Sequence, residues 1–244
     1  MQVRTYRKIH RWLGIIVGIQ LLFWTGSGLF FSLNPIAKVR GETEQAEPAP
    51  LATDVGFASP GAALTELWKM HGDIEIMSVL LRPHLETSVY EISFRKDGVI
   101  HWALADASSG RLREPVDREE AIALARADFA IPAEIETVER LTATPADSEY
   151  RGRPLPAYRI EFDYRLGTRI YVSADRGVVT ARRNNRWRQF DFLWMFHIMD
   201  YQARDDFNSL VLQLASALGL VTVLSGFVLA GVTSPRLRRF FGRR

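Results

Sequence analysis

Histidine carries most of the chemical potential of this 244-residue chain, which has five histidines and no cysteine. Without cysteine there is no disulfide, no Cys-ligated iron–sulfur cluster, no thiol nucleophile and no covalent c-type haem, which requires C-x-x-C-H. Two of the five lie beside apolar stretches. His10, Gly14 and Gly18 fall on one helical stripe at i, i+4 and i+8, where glycines leave room for a flat macrocycle beside the imidazole. The same spacing, Gly14-x-x-x-Gly18, is also the small-x-x-x-small pattern of membrane-helix packing, repeated by Thr222, Gly226 and Ala230. His197 sits in an aromatic stretch from Trp187 to Tyr201, with Phe190, Trp194 and Tyr201 expected on its own side. An interfacial histidine bonded to lipid or water is the plainer reading of that position.

The remaining polar residues offer less. His71, His84 and His101 are expected at a helix end, a loop and a strand, without metal-site spacing. Glu91, Asp97 and Asp106 alternate with apolar residues or occupy turns, the pattern of a solvated face. No G-x-S-x-G, no glycine-rich phosphate loop and no flavin or nicotinamide motif is present, so nothing marks a hydrolase and any electron source is external. Arg182, Arg183, Arg186 and Arg188 form a basic cluster before the aromatic stretch. Lipid headgroups are one reading of it and an anionic ligand, such as a ferric chelate, is the other.

The elements that must position these residues begin with two charge-free stretches, Trp12 to Ala37 and Phe207 to Pro235. Each exceeds the roughly 20 apolar residues needed to cross a bilayer. The ends outside them, with Arg4, Arg7, Lys8 and Arg11 before and Arg236, Arg238, Arg239, Arg243 and Arg244 after, carry +9; the middle holds 22 basic and 28 acidic residues, a net of −6. Basic flanks stay cytoplasmic, so both termini are expected inside and the middle outside, which in a bacterium means the inner membrane and the periplasm. The basic pI averages these populations and is no sign of nucleic-acid binding. Ile15 to Phe31 is longer than a signal-peptide core and leads to Asn34-Pro35 rather than a small-x-small site, so an uncleaved anchor is expected.

The intervening segment reads as a linker, 38–58, followed by two repeats, 59–116 and 117–186, and an interfacial segment, 187–206; the spans lie in 1–37 and 207–235, and 236–244 is a basic tail. Ser59-Pro60 opens a helix to about His71, and Asp117 with Glu120 makes a capping-box-like start for another to about Phe129. Strands Ile74 to Leu81, Tyr90 to Phe94 and Val99 to Leu104 follow the first helix, with a hairpin at Asp97-Gly98. Ile135 to Leu141, Tyr158 to Phe162 and Arg169 to Ala174 follow the second. Both copies contain Tyr-x-Ile-x-Phe, and the second carries an insertion, Thr142 to Ala157, expected as a surface loop. The fold class is therefore membrane α plus α+β: two transmembrane helices flanking two α-β-β-β repeats with antiparallel sheets.

The Tyr-x-Ile-x-Phe strand, the strand after it and the closing turns Asp106 to Leu112 and Asp175 to Val179 resemble the PepSY module. His10-Arg11-Trp12-Leu13-Gly14 running to Thr25-Gly26-Ser27-Gly28, and Leu193-Trp194-Met195-Phe196-His197 before a helix closing on Ser225-Gly226-Phe227-Val228-Leu229, resemble the spans of PepSY-associated transmembrane proteins. The resemblance covers nearly the whole chain. Members similar to ferric-siderophore reductases hold b-type haems between four membrane helices with histidines near both faces. The resemblance therefore implies haem b, with His10 and His197 as iron ligands, and a homodimer, because this chain has two spans rather than four. It further implies a quinol or reductase as electron donor and a ferric siderophore as acceptor. The alternative is a haem-free periplasmic binding or regulatory module that contacts a peptidase or envelope partner.

Overall fold

The computed structural model describes residues 3–51 and 56–234. In chain order the elements are α1 (Val3–Leu33), α2 (Ile36–Val39), a 3-10 turn (Glu42–Glu44), α3 (Gly61–His71), β1 (Glu75–His84), β2 (Thr87–Lys96), β3 (Val99–Asp106), β4 (Leu112–Arg113), α4 (Arg118–Asp128), β5 (Ile135–Leu141), β6 (Ala157–Phe162), β7 (Arg169–Ser173), β8 (Val178–Arg183), α5 (Asn185–Ile198) and α6 (Leu210–Thr233). They divide into two compact units, one of residues 37–188 and one joining residues 1–36 to 189–244.

Within the 37–188 unit, two antiparallel sheets run β1-β2-β3-β4 and β5-β6-β7-β8. The repeat is visible in register as well as in sequence. β1 bulges between Ile76 and Ser78 against β2, and β5 bulges between Ile135 and Thr137 against β6. Tyr90, Ile92 and Phe94 point to a core with Ala63 and Leu67 of α3, while Tyr158, Ile160 and Phe162 point to one with Ala121 and Ala125 of α4. Asp97 (φ 51°) and Gly98 (φ 79°) take the two left-handed conformations that a tight hairpin of this hand demands. At α4, the Asp117 side chain accepts from the Glu120 N–H at 2.8 Å, the expected cap. The reciprocal half of the box is replaced, because the Glu120 carboxylate turns to His84 Nε2 (2.7 Å) and Arg113 (2.5 Å).

Four expectations for this unit are revised. Each repeat has a fourth strand, β4 and β8, so the pattern is α-β-β-β-β; β8 extends the closing turn into Arg182 and Arg183. Glu91 is 5% exposed rather than solvated, held by Arg82 at 3.1 Å and Arg176 at 2.7 Å. His84 ends β1 rather than lying in a loop, and it is 3% exposed. The insertion folds back over the outer face of the second sheet: Tyr150 is fully buried, stacks on Tyr171 at 4.5 Å between centroids, and donates to the Pro154 carbonyl. A sheet covered by α4 alone would leave Tyr171 in water, so the insertion completes the core on the other side.

The halves share one core. Val89, Leu104 and Val116 of the first repeat pack with the α4 cluster, and the Val116 N–H bonds the Ala174 carbonyl at 2.9 Å. Gly177 (φ 55°) lies at this joint, where a Cβ would stand 2.9 Å from both His84 Cε1 and Leu104 Cδ1. Gly110, its counterpart in the first closing turn, has a positive φ of 69° and would meet the Ser59 carbonyl oxygen at 2.3 Å. Both positions therefore need glycine for conformation and for space.

In the other unit, α1 and α6 pack antiparallel: His10 lies level with Ser225, and Gly219 packs beside Val17 and Trp24. Both helices are long and apolar enough to cross a membrane, and only 11% of each apolar window is buried, so neither is the core helix of a soluble domain. Residues 235–244, with the basic tail and Pro235, lie outside the described residues. Phe207, Asn208 and Ser209, expected in the second span, precede the helix, and the Ser209 side chain caps it by accepting from the Leu212 N–H at 3.2 Å.

Candidate functional site: two serine-held histidines

The carbonyls at the end of α5 are met from α1: Trp24 Nε1 donates to the His197 carbonyl (2.8 Å) and Gln20 Nε2 to that of Phe196 (3.3 Å). Terminal helix carbonyls lack intrahelical partners, so these bonds fix the α5 end where it is needed. Phe31 packs on Phe190 (4.4 Å) and edge-on to His197 (5.5 Å), and Trp194 stacks parallel to the His197 ring at 6.1 Å. The expected aromatic side is therefore real for Phe190 and Trp194. Tyr201 lies beyond the helix end and packs on Phe196 instead. The turn that follows is organised by Asp200, whose carboxylate accepts from the N–H groups of Gln202, Ala203, Asp205 and Asp206.

His197 Nδ1 is 2.8 Å from Ser27 Oγ, a buried hydroxyl that also donates to the Phe23 carbonyl at 2.7 Å. At the opposite end of α1, His10 Nδ1 is 2.7 Å from Ser225 Oγ, which donates to the Thr222 carbonyl at 2.8 Å. Two histidines far apart in sequence thus meet the same partner in the same way. Residues 10 and 27 are separated by about 25 Å along the helix axis at 1.5 Å per residue. The rings cannot serve one iron.

Beside His10 lies an apolar cleft of about 520 Å³, lined by Tyr6, Leu13, Val221, Ser225, Val228 and Leu229 among others. Gly226 forms the floor under the imidazole, and a Cβ there would come within 3.2 Å of His10 Cε1. Of the residues expected to pack helices, Thr222 is buried and Gly226 faces His10, whereas Ala230 is exposed. Gly14 and Gly18 have nothing within 4 Å of a notional Cβ, so their stripe is not used by α6 of the same chain.

A family model for the PepSY-associated TM region matches residues 7–244. The chain belongs to that family. No curated protein and no solved structure matches it. As a member of the PepSY-associated TM family with two long apolar helices, the chain is a membrane protein.

The arginine cluster of this PepSY-associated chain is largely engaged within the 37–188 unit. Arg182 pairs with Asp128; Arg183 lies over the Trp187 ring at 4.2 Å and donates to the Glu149 carbonyl; Arg188 donates to the Glu149 carboxylate at 2.8 Å. Burial would raise the Glu149 carboxyl, but Arg188, Tyr171 and Arg169 outweigh it and hold it below its ordinary range. Arg186 lies within electrostatic reach of Glu44. Sequence reasoning missed Ser27 and Ser225 as partners of the histidines. The signal was a small polar residue in each apolar span, but neither serine is near its histidine in sequence.

Proposed function

We propose that this PepSY-associated protein is a b-type haem electron-transfer component of a bacterial inner membrane, delivering electrons outward toward ferric iron. His10 and His197 would hold the iron through Nε2, and the haem would supply one-electron chemistry at each level of the membrane. The observation that carries the reading is the cleft at His10: about 520 Å³, apolar, with an imidazole anchored through Nδ1 and its Nε2 without a hydrogen-bond partner among the described residues. That volume lies within the roughly 300–1,000 Å³ range of cofactor sites. An anchored Nδ1 with a free Nε2 is the usual state of a ligating histidine.

Each chain offers a single histidine at each level, so His10 and His197 would each hold an iron together with the same histidine of a second copy related by a two-fold axis. The open Gly14 and Gly18 stripe supports close approach of a second α1. The chain's own residues orient the two imidazoles and exclude water with Val221, Val228 and Leu229 at one end and Phe31 and Trp194 at the other. Electrons come from an external quinol or reductase, and the acceptor is a ferric chelate, a siderophore in the fullest form of the proposal. The net-negative middle faces the periplasm and both basic ends the cytoplasm. The reduced-minus-oxidised absorption spectrum of detergent-extracted protein is expected to show b-type haem bands that vanish in a His10→Ala, His197→Ala double variant. A colourless preparation from haem-replete cells overturns the reading.

One observation favours the alternative, a binding module. The aligned bulges place Met77 opposite Glu136 and Leu80 opposite Glu139 in the repeat comparison, so edge strand β5 is charged where edge strand β1 is apolar and exposed. Exposed apolar edges are pairing surfaces that proteins ordinarily blunt with charge. If the β1 edge serves a partner of a haem-free module, Met77→Glu with Leu80→Glu abolishes the protein's activity in cells, and wild-type protein from haem-replete cells is colourless.

A further inference from the structure

We propose that Ser225 and Ser27 are positioning residues that set the tautomer of His10 and His197, so that Nδ1 carries the ring proton and Nε2 carries the lone pair. The inference rests on the haem reading above and extends it to two residues that touch no iron.

Hydrogen-bond parity decides which ring nitrogen holds the proton. A serine hydroxyl has a single proton. Ser225 Oγ lies 2.8 Å from the Thr222 carbonyl, and Ser27 Oγ lies 2.7 Å from the Phe23 carbonyl and 3.2 Å from that of Trp24. A carbonyl oxygen can only accept, so both serines donate into their own helices. Each oxygen is then left with lone pairs for the imidazole, and the 2.7 Å and 2.8 Å contacts become hydrogen bonds only if Nδ1–H donates. The opposite tautomer would fail twice. It would set an unprotonated Nδ1 against a hydroxyl whose proton is committed, and at His10 it would aim an Nε2–H into a cleft lined by Val221, Val228 and Leu229. An unsatisfied donor in apolar surroundings is costly.

The consequence reaches the iron. A ring whose Nδ1–H is hydrogen-bonded is more basic at Nε2 and donates more strongly to a bound metal, which favours the ferric over the ferrous state. The same device appears at both ends of α1 with opposite polarity of partners: the histidine is on α1 and the serine on α6 at one end, the serine on α1 and the histidine on α5 at the other. Serine as interhelical glue would need the hydrogen bond but no particular tautomer.

The test uses haem-free full-length protein with ¹⁵N-histidine, at a pH well above the ordinary imidazole range. The ring signals of His10 and His197 are expected to show a protonated Nδ1 and a bare Nε2. Ser225→Ala should convert His10 alone to a tautomer mixture, Ser27→Ala should do so for His197 alone, and Ser→Thr, which keeps the hydroxyl, should restore each. An Nε2–H signal in the wild type, or rings indifferent to the alanine substitutions, overturns the proposal without requiring any variant to bind cofactor. Haemin added to the same preparations supplies the second readout. The midpoint potential of each alanine variant should move positive and that of each threonine variant should not. If the rings behave as expected and wild-type protein takes up no haemin, the serine-set tautomers stand and the haem reading falls.

Discussion

His84 and Glu120 join the two repeats through a single 2.7 Å contact, with Arg113 sharing the carboxylate. Burial depresses the His84 imidazole below its ordinary value, more than Glu120 restores it. A folded-state value below the unfolded one means that the unfolded chain binds the proton first as pH falls. The stability linked to His84 is therefore complete above about pH 6.5 and declines as pH drops below it toward the folded value. Denaturant midpoints between pH 8 and pH 5 should fall for the wild type, and the part due to His84 should vanish in His84→Gln. Glu120→Ala strands two donors and should cost about 1–3 kcal/mol in the same measurement. None of this was legible locally, because a lone histidine in a Pro-His-Leu stretch has no period. Its partner is 36 residues away. The serine partners are further still, 170 and 215 residues from their histidines, and long-range pairing leaves no trace in spacing.

The end of α3 and the second closing turn separate two roles of glycine. Gly72 and Gly177 both have positive φ, 74° and 55°, but a Cβ at Gly72 meets open space whereas one at Gly177 meets His84, Leu104 and Val116. Gly72→Ala should cost about 1 kcal/mol, from backbone conformation alone. Gly177→Ala adds overpacking and should cost roughly 1–3 kcal/mol more, read as the difference between two thermal or denaturant transitions. Tyr150→Ala, which uncovers Tyr171, should cost about 3–5 kcal/mol, close to a core aromatic and unlike a surface loop residue. The strands with strict alternation and the Asp97-Gly98 turn were readable because their signals are local. β8 was not. Val178 and Val179 fall in the expected closing turn, and Arg182 and Arg183 read as a cluster for lipid headgroups or an anionic ligand because their partners Asp128 and Glu149 lie 54 and 34 residues away.

At the scale of the whole chain, the antiparallel contact of α1 with α6 puts the N-terminal end of α1 level with the C-terminal half of α6. The chain has no cysteine, so single substitutions report topology without background. Glu47→Cys should react with an impermeant maleimide on intact cells, and Arg4→Cys should react only after permeabilisation; the reverse pattern would place the 37–188 unit inside. Charge-free length made the spans legible at once, while the use made of them was not, since the glycine stripe beside His10 suits helix packing first and a cofactor second. In the structure Gly14 and Gly18 stand open and Gly226 lies under the His10 ring, so α6 of the same chain does not use that stripe. The most direct measurement is the haem-to-chain ratio of the purified protein. One haem per chain is predicted, falling by half in either His10→Ala or His197→Ala and to none in the pair. A ratio of zero in the wild type, or one that both single substitutions leave unchanged, would contradict the account.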